Sequence, residues 1–100
     1  MGIKIKIHKS YRLVVAICDS DIFGKKFEEG IRQLDITSNF FNGTEYDDEE
    51  ALKIMKTELA EDATFNIAGE KAIELAIEAG LISEDSISYI EKVPFALKLL

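Results

Sequence analysis

Alternation between isoleucine and a polar side chain at the start of the chain predicts a strand with one buried face. Residues 3–8 have the sequence IKIKIH, and a period of two is typical of a half-buried strand. The next apolar run, residues 11–18, has the sequence YRLVVAIC and favours a central strand covered on both faces. A turn through His8, Lys9 and Ser10 would separate the two segments, so they are predicted to pair as a hairpin.

The middle of the chain has a weaker pattern. We interpret residues 19–30 as a polar loop and residues 31–36 as a short third strand. Within residues 37–46, the pair Asn42-Gly43 is the strongest short-range hairpin signal, because a type I′ turn needs positive φ at both central positions. This third of the chain is therefore expected to add strands to the sheet.

Helical periodicity begins near residue 47. Asp47, with Glu50 three residues later, has the spacing of a capping box and precedes an apolar stripe, which predicts a first helix. A second amphipathic helix is predicted to begin with Asn66 as its N-cap and to end at Gly80.

Two short strands, residues 86–90 and 95–100, are predicted after the helices, with Val93-Pro94 between them. Two consecutive helices among strands do not match a repeating βαβ design. The pattern predicts a single α+β domain over residues 1–100, with two consecutive helices packed on a small mixed, mainly antiparallel sheet.

Composition and charge narrow the class of protein. The chain has 100 residues, 47% of them apolar, and a net charge of −7, which is typical of a packed globular domain. Residues 1–32 carry seven basic and four acidic side chains, whereas residues 33–100 carry five basic and fifteen acidic ones. The lone cysteine, the absence of an apolar membrane span and the charged N-terminus lead us to expect a cytoplasmic protein with no membrane partner.

The segment CDSDIFGKKFEEG, residues 18–30, is the most chemically crowded part of the sequence. Its two aspartates, Asp19 and Asp21, match the start of a calcium loop, but the fifth position is Phe23 and the twelfth is Gly30, which cannot ligate. A nucleotide-binding P-loop would need glycine where Asp19 stands. We therefore expect no metal centre and no cofactor, although the spacing leaves a Mg²⁺ ion on one or two carboxylates open.

Two glycine-containing positions remain as candidates for contact with an anion. Gly24 followed by Lys25 and Lys26 could present backbone amides and positive charge, or could form an ordinary turn. The predicted start of the second helix, at Asn66, Gly69 and Glu70, could bind an anion through free amides, or could pack tightly against a strand. A single pocket would require Asp19, Lys25, Asn66 and Glu70 to converge.

Nucleophilic and metal chemistry have little support. His8 is the single histidine, so no zinc site is expected, and Cys18 is interpreted as a core residue. In the predicted hairpin these two residues lie at opposite ends, which excludes a Cys–His pair. We select no catalytic residue and do not expect an enzyme.

The residues above resemble a small archaeal family, the domain of unknown function numbered four-two-four. The resemblance spans nearly the whole chain and depends on Asp19, Phe23, Gly24, Lys25, Phe27, Gly30, Asn66, Gly69, Glu70, Val93 and Pro94. Family members often carry histidine after the late proline, where this chain has Phe95. The resemblance implies an archaeal housekeeping protein associated with RNA or translation, and implies no activity.

The first functional hypothesis is a non-catalytic binding module for RNA or a translation-related complex. Its contact surface would be the Gly24-Lys25-Lys26 turn and a basic strand face consisting of Lys4, Lys6, Lys9 and Arg12. The alternatives are a protein-interaction subunit, which would use the acidic helix or an exposed edge strand, and a small-ligand or enzyme site between residues 19–30 and the second helix.

Overall fold

The predicted N-terminal hairpin forms the centre of the fold. In the computed structural model, which describes residues 2–99, strand β1 (Ile3–Lys9) pairs antiparallel with β2 (Leu13–Asp19). His8 lies opposite Val14, and Cys18 lies opposite Lys4 at the other end of the pair. The hairpin and the separation of Cys18 from His8 are thus both confirmed.

Six strands form the main sheet, in the order β5-β1-β2-β6-β8-β7. The remaining elements are β3 (Lys26–Glu29), β4 (Arg32–Asp35), β5 (Thr44–Tyr46), α1 (Asp48–Ala60), β6 (Thr64–Ala68), α2 (Glu70–Glu78), β7 (Ser88–Ile90) and β8 (Val93–Lys98). Strands β2 and β6 are parallel, and every other pair in the sheet is antiparallel. Strands β3 and β4 form a separate two-stranded sheet, which we call the ribbon. The expected α+β fold is confirmed, with β2 central as predicted.

One face of the main sheet packs on both helices. Because side chains alternate along a strand, the large apolar residues Ile3, Val15 and Phe65 all point to this face and are fully buried. Helix α1 contributes Met55, and α2 contributes an apolar stripe that includes Ile73. Burying a side chain of this size contributes about 1.5–3 kcal/mol, so this face carries most of the hydrophobic stabilisation.

The opposite face of the sheet, the ribbon face, is lined by small side chains at its centre. Ala16, Cys18 and Ala68 are buried there against Ile36 and Phe41. The ribbon packs on this face as well, through partly buried side chains of β3 and β4. Small side chains allow the second layer to approach the sheet closely. Strands β3 and β4 have four residues each, and neither could cover this face of the sheet alone.

The Asn42-Gly43 hairpin prediction is wrong. A 3₁₀ turn, Asn39–Phe41, precedes the pair, and β5 continues from it to pair with β1. A Cβ on Gly43 would clash with the backbone carbonyl of Ile5. The glycine is therefore explained by close approach to a neighbouring strand and not by a type I′ turn.

The predicted limits of several elements also change. Residues 19–30 contain a 3₁₀ turn, Ser20–Ile22, and strand β3, and the weak third strand is confirmed as β4. Asn66 does not cap α2, because it lies within β6 and the helix begins after Gly69. The two late strands are confirmed, although Pro94 lies inside β8, and the predicted end at residue 100 lies outside the described residues. Between residues 2 and 99, neither helix is long and apolar enough to cross a membrane.

Cys18 should be chemically inert in the folded protein. Burial, with the nearby Asp19 charge, raises the pKa of its thiol to about 12. We expect no reaction with 5,5′-dithiobis(2-nitrobenzoate) at pH 8, and reaction of one equivalent after unfolding in guanidinium. Rapid stoichiometric reaction of the folded protein would contradict the buried position of this side chain.

Candidate functional site

The carboxyl ends of the two parallel strands lie together at one end of the sheet. Strand β2 ends at Asp19, and β6 ends at Ala68, directly before the start of α2. In sheets with parallel strands, ligands commonly bind beyond these ends, near the N-terminus of the following helix. A ligand site is therefore expected at this end of the sheet.

The carboxylate of Asp19 caps helix α2 from a different strand. Its Oδ1 accepts a hydrogen bond from the amide of Ala72 at 2.7 Å, and its Oδ2 accepts one from the amide of Lys71 at 3.1 Å. The residue at the N-cap position, Gly69, has no side chain that could do this. The anion at these amides is thus the chain's own carboxylate, and an external anion would have to displace it.

Gly69 makes this contact possible. A Cβ at this position would lie 2.4 Å from Cγ of Asp19, and the backbone φ of 109° is one that side chains rarely adopt. The amide of Gly69 also donates to the carbonyl of Pro94 at 2.9 Å. Three residues that carry the family resemblance, Asp19, Gly69 and Pro94, therefore join β2, β6, β8 and α2 at one point. We call this set of contacts the Asp19 junction.

Burial raises the pKa of Asp19, and the amides of Ala72 and Lys71 oppose that effect. The charge of Asp21 adds to the rise, and the ammonium group of Lys71 lowers it. That ammonium group forms an ion pair with Asp48 at 3.2 Å, which links the start of α1 to the start of α2.

A shallow cleft surrounds the Asp19 junction. One part, of about 300 Å³, is lined by Gly2, Asp19, Asp21, Glu70, Lys71 and Glu74. A second part, of about 200 Å³, shares three of these residues and is bordered by Ile22, Gly69, Lys92, Val93 and Pro94. Carboxylates outnumber ammonium groups around both parts. Within residues 2–99, however, no group of three histidine, cysteine or acidic side chains is placed to hold a metal ion.

The predicted pocket residues separate into two groups. Asp19, Gly69 and Glu70 meet at the cleft, but Lys25 and Asn66 do not line it. The Gly24 amide donates to the carbonyl of Ile36, so the glycine-lysine turn anchors residue 36 over the ribbon face. Lys26 begins β3 opposite Asp35. The four side chains proposed to converge therefore do not line one pocket.

The basic strand face is partly occupied by the chain itself. The ammonium group of Lys4 lies 5.0 Å from the ring centre of Phe23, and that of Lys6 donates to the carbonyl of Asn39 at 2.9 Å. Lys9 and Arg12, next to the hairpin turn, are exposed. The alternating lysines of β1 thus hold the layer that covers the ribbon face.

Sequence reasoning missed an apolar groove on the ribbon face. It encloses about 200 Å³ and is lined by Leu34, Phe41, Asn66, Ile67, Ala68, Phe95, Ala96 and Leu97. Leu97 is 56% exposed, and Leu99, just past the end of β8, is 68% exposed. Their spacing in the sequence FALKL was a signal, because it placed leucine at alternate positions of a predicted strand.

Comparison with known proteins gives a family but no activity. Residues 8–99 match the family described as DUF424, protein of unknown function. The chain belongs to this family. No curated protein matches it. A solved structure, described as an uncharacterized conserved protein from Methanopyrus kandleri, shares 27% sequence identity with a TM-score of 0.87, and the match covers 97% of this chain and 90% of that one.

Removal of the Asp19 carboxylate should weaken the fold. Asp19→Ala leaves two amides at the start of α2 without their acceptor, so we expect the free energy of unfolding to fall by about 1–3 kcal/mol in denaturant titrations. Asp21→Ala is the matched control, because Asp21 is exposed and lies two residues away. Equal effects of the two changes would contradict the capping role.

The same variants test the sign of the Asp19 pKa shift. A pKa raised above 3.8 in the folded state adds stability below that value, and the gain is lost as pH rises through the folded pKa. The stability difference between wild type and Asp19→Ala should therefore grow as pH falls from neutral towards about 4. A shrinking difference would mean that the helix amides outweigh burial.

Gly69→Ala should destabilise the protein more than Gly80→Ala. Both glycines have positive φ, but a Cβ at Gly80 meets nothing within 4 Å. We expect a loss of about 1 kcal/mol for Gly80→Ala from backbone strain, and a loss about 1–3 kcal/mol larger for Gly69→Ala from overpacking. Combining Gly69→Ala with Asp19→Ala should cost less than the sum of the two single changes. Additive losses of stability would mean that a Cβ at position 69 does not clash with the side chain of Asp19.

Proposed function

We propose that this protein is a non-catalytic protein-interaction module that binds its partner along the ribbon face of the sheet. The observation that carries the proposal is the apolar groove beside the open part of β8. Strand β7 pairs with Val93, Pro94 and Phe95 only, so among the described residues no strand pairs with the outer side of residues 96–98.

The two edges of the sheet differ in a way that supports this choice. Strands β5 and β7 have three residues each, and each covers only the first part of its neighbour, β1 or β8. The uncovered part of β1 carries Lys6 and Lys9, and charged side chains protect an edge from unwanted pairing. The uncovered part of β8 carries the exposed Leu97 and one lysine, and the exposed Leu99 follows directly after the strand.

The groove also has the composition of a contact surface. Most of its lining side chains are apolar, including Leu34, Phe41 and Phe95, and Asn66 is the polar one among them. Exposed apolar groups that adjoin a concave apolar surface are a common feature of protein-binding sites. A cleft for chemistry would need convergent polar groups instead.

RNA binding, the function expected from the basic strand face, has less support. Lys4 and Lys6 contact the chain's own Phe23 and Asn39. This leaves Lys9 and Arg12 on the strand face, with the exposed Lys25 and Lys26 on the turn, for a phosphate backbone. With a net charge of −7 on the chain, so few contacts would give weak and strongly salt-dependent binding.

Photo-crosslinking tests the proposed function. A photoreactive amino acid in place of Leu97 should give a discrete protein adduct in cells of the source organism or a close relative. The same amino acid in place of Thr57, which is exposed on α1, is the matched control and should give none. Equal labelling at both positions, or an adduct at Leu97 that ribonuclease destroys, would overturn the proposal.

A further inference from the structure

We propose that the partner segment is an extended peptide of alternating apolar and acidic residues, which adds to β8 as a seventh strand. This inference rests on the proposed function and specifies the occupant of its surface. The site consists of the outer edge of residues 96–98 and the apolar groove beside it, and we call it the β8 site.

The backbone of β8 favours strand addition. On its inner side, β8 pairs with β6 from Phe95 to Lys98, whereas on its outer side the pairing with β7 stops at Phe95. Peptide groups at the unpaired edge can bond to an incoming strand.

Alternation of side chains fixes which positions of the peptide must be apolar. Leu97 lies opposite Asn66, and Phe95 lies opposite Ala68, so both side chains share the ribbon face with the groove. Every second residue of an added strand would lie beside them on the same face. Apolar residues at those positions would cover the exposed surface of Leu97, as cross-strand pairs do within a sheet.

Charge around the β8 site favours acidic residues at the other positions. Lys98 lies between the two exposed leucines and, because side chains alternate, points to the opposite face of the strand, which the other positions of the peptide would share. Among residues 2–99, no carboxylate lines the groove. An acidic segment would therefore meet complementary charge at this surface, even though the chain as a whole is acidic.

A second copy of this chain fits the β8 site less well. Antiparallel pairing of two copies with Leu97 opposite Leu99 would place the two Lys98 side chains directly opposite each other, which is destabilising. The register that pairs Leu97 with itself would place Leu99 opposite Phe95, whose outer side already pairs with Ser88. A different protein avoids both conflicts.

A display library of random nine-residue segments tests the inference. The library is selected on the wild-type protein and counter-selected on the Leu97→Glu variant, whose folding is checked by circular dichroism. Leu99→Glu serves as a second variant for counter-selection. We expect enriched sequences that alternate apolar with Asp or Glu. Enrichment of basic or proline-rich segments, or no enrichment over the variants, would overturn the inference, as would a wild-type dimer that Leu97→Glu dissociates.

Binding of a selected synthetic peptide separates charge and backbone contributions. Lys98→Glu should weaken its affinity about threefold to tenfold, whereas Lys53→Glu, the same change on the exposed surface of α1, should have no effect. Hydrogen exchange should show protection of amides within residues 96–98, and proline at central peptide positions should abolish binding. Equal effects of the two lysine variants, or protection elsewhere, would overturn the inference. A partner protein crosslinked at Leu97 would still support the proposed function, so the two proposals can fail separately.

Discussion

The contact between the Asp19 carboxylate and the start of α2 is the interaction on which the arrangement of the layers depends. It places a charged group from the end of β2 on two amides that would otherwise lack acceptors. It also requires glycine at position 69, and that glycine bonds to the carbonyl of Pro94 on β8. One carboxylate therefore fixes α2 relative to β2, β6 and β8. The hydrophobic core between the helices and the main sheet depends on this position of α2.

The layer on the ribbon face is held by several separate contacts and leaves part of that face uncovered. The ribbon is held to Glu91 by two hydrogen bonds. The carboxylate of Glu91 accepts from the backbone amide of Glu28, and the backbone amide of Glu91 donates to the carboxylate of Glu29. The segment around Phe40 is held by Lys6 and by stacking on His8. The segments held in this way cover the ribbon face over β1 and β2 and near β7. The uncovered part of that face, over β6 and β8, is the apolar groove.

Local patterns predicted the elements whose cause is local. The N-terminal hairpin follows from strict alternation, and the cap of α1 follows from Asp47, whose side chain accepts from the amide of Glu50. Asn66 was misplaced because an apolar run with a polar residue fits a buried strand as well as a helix start. The function of Gly69 depends on Asp19, fifty residues earlier in the sequence, and the groove depends on four separate segments. No local pattern encodes such contacts.

Several of the residues that carry the family resemblance have a structural cause, so they do not point to a function. Asp19, Gly69 and Pro94 are explained by their mutual contacts, and Gly24 is explained by its backbone φ of 92°, which favours glycine. Residues that a fold needs in order to form do not by themselves indicate a ligand. Leu97 has the opposite character, because exposing a large apolar side chain beside an unpaired strand edge carries a risk of aggregation and contributes nothing to the core. A feature that the fold does not need and that carries this risk is best explained by a partner that covers it.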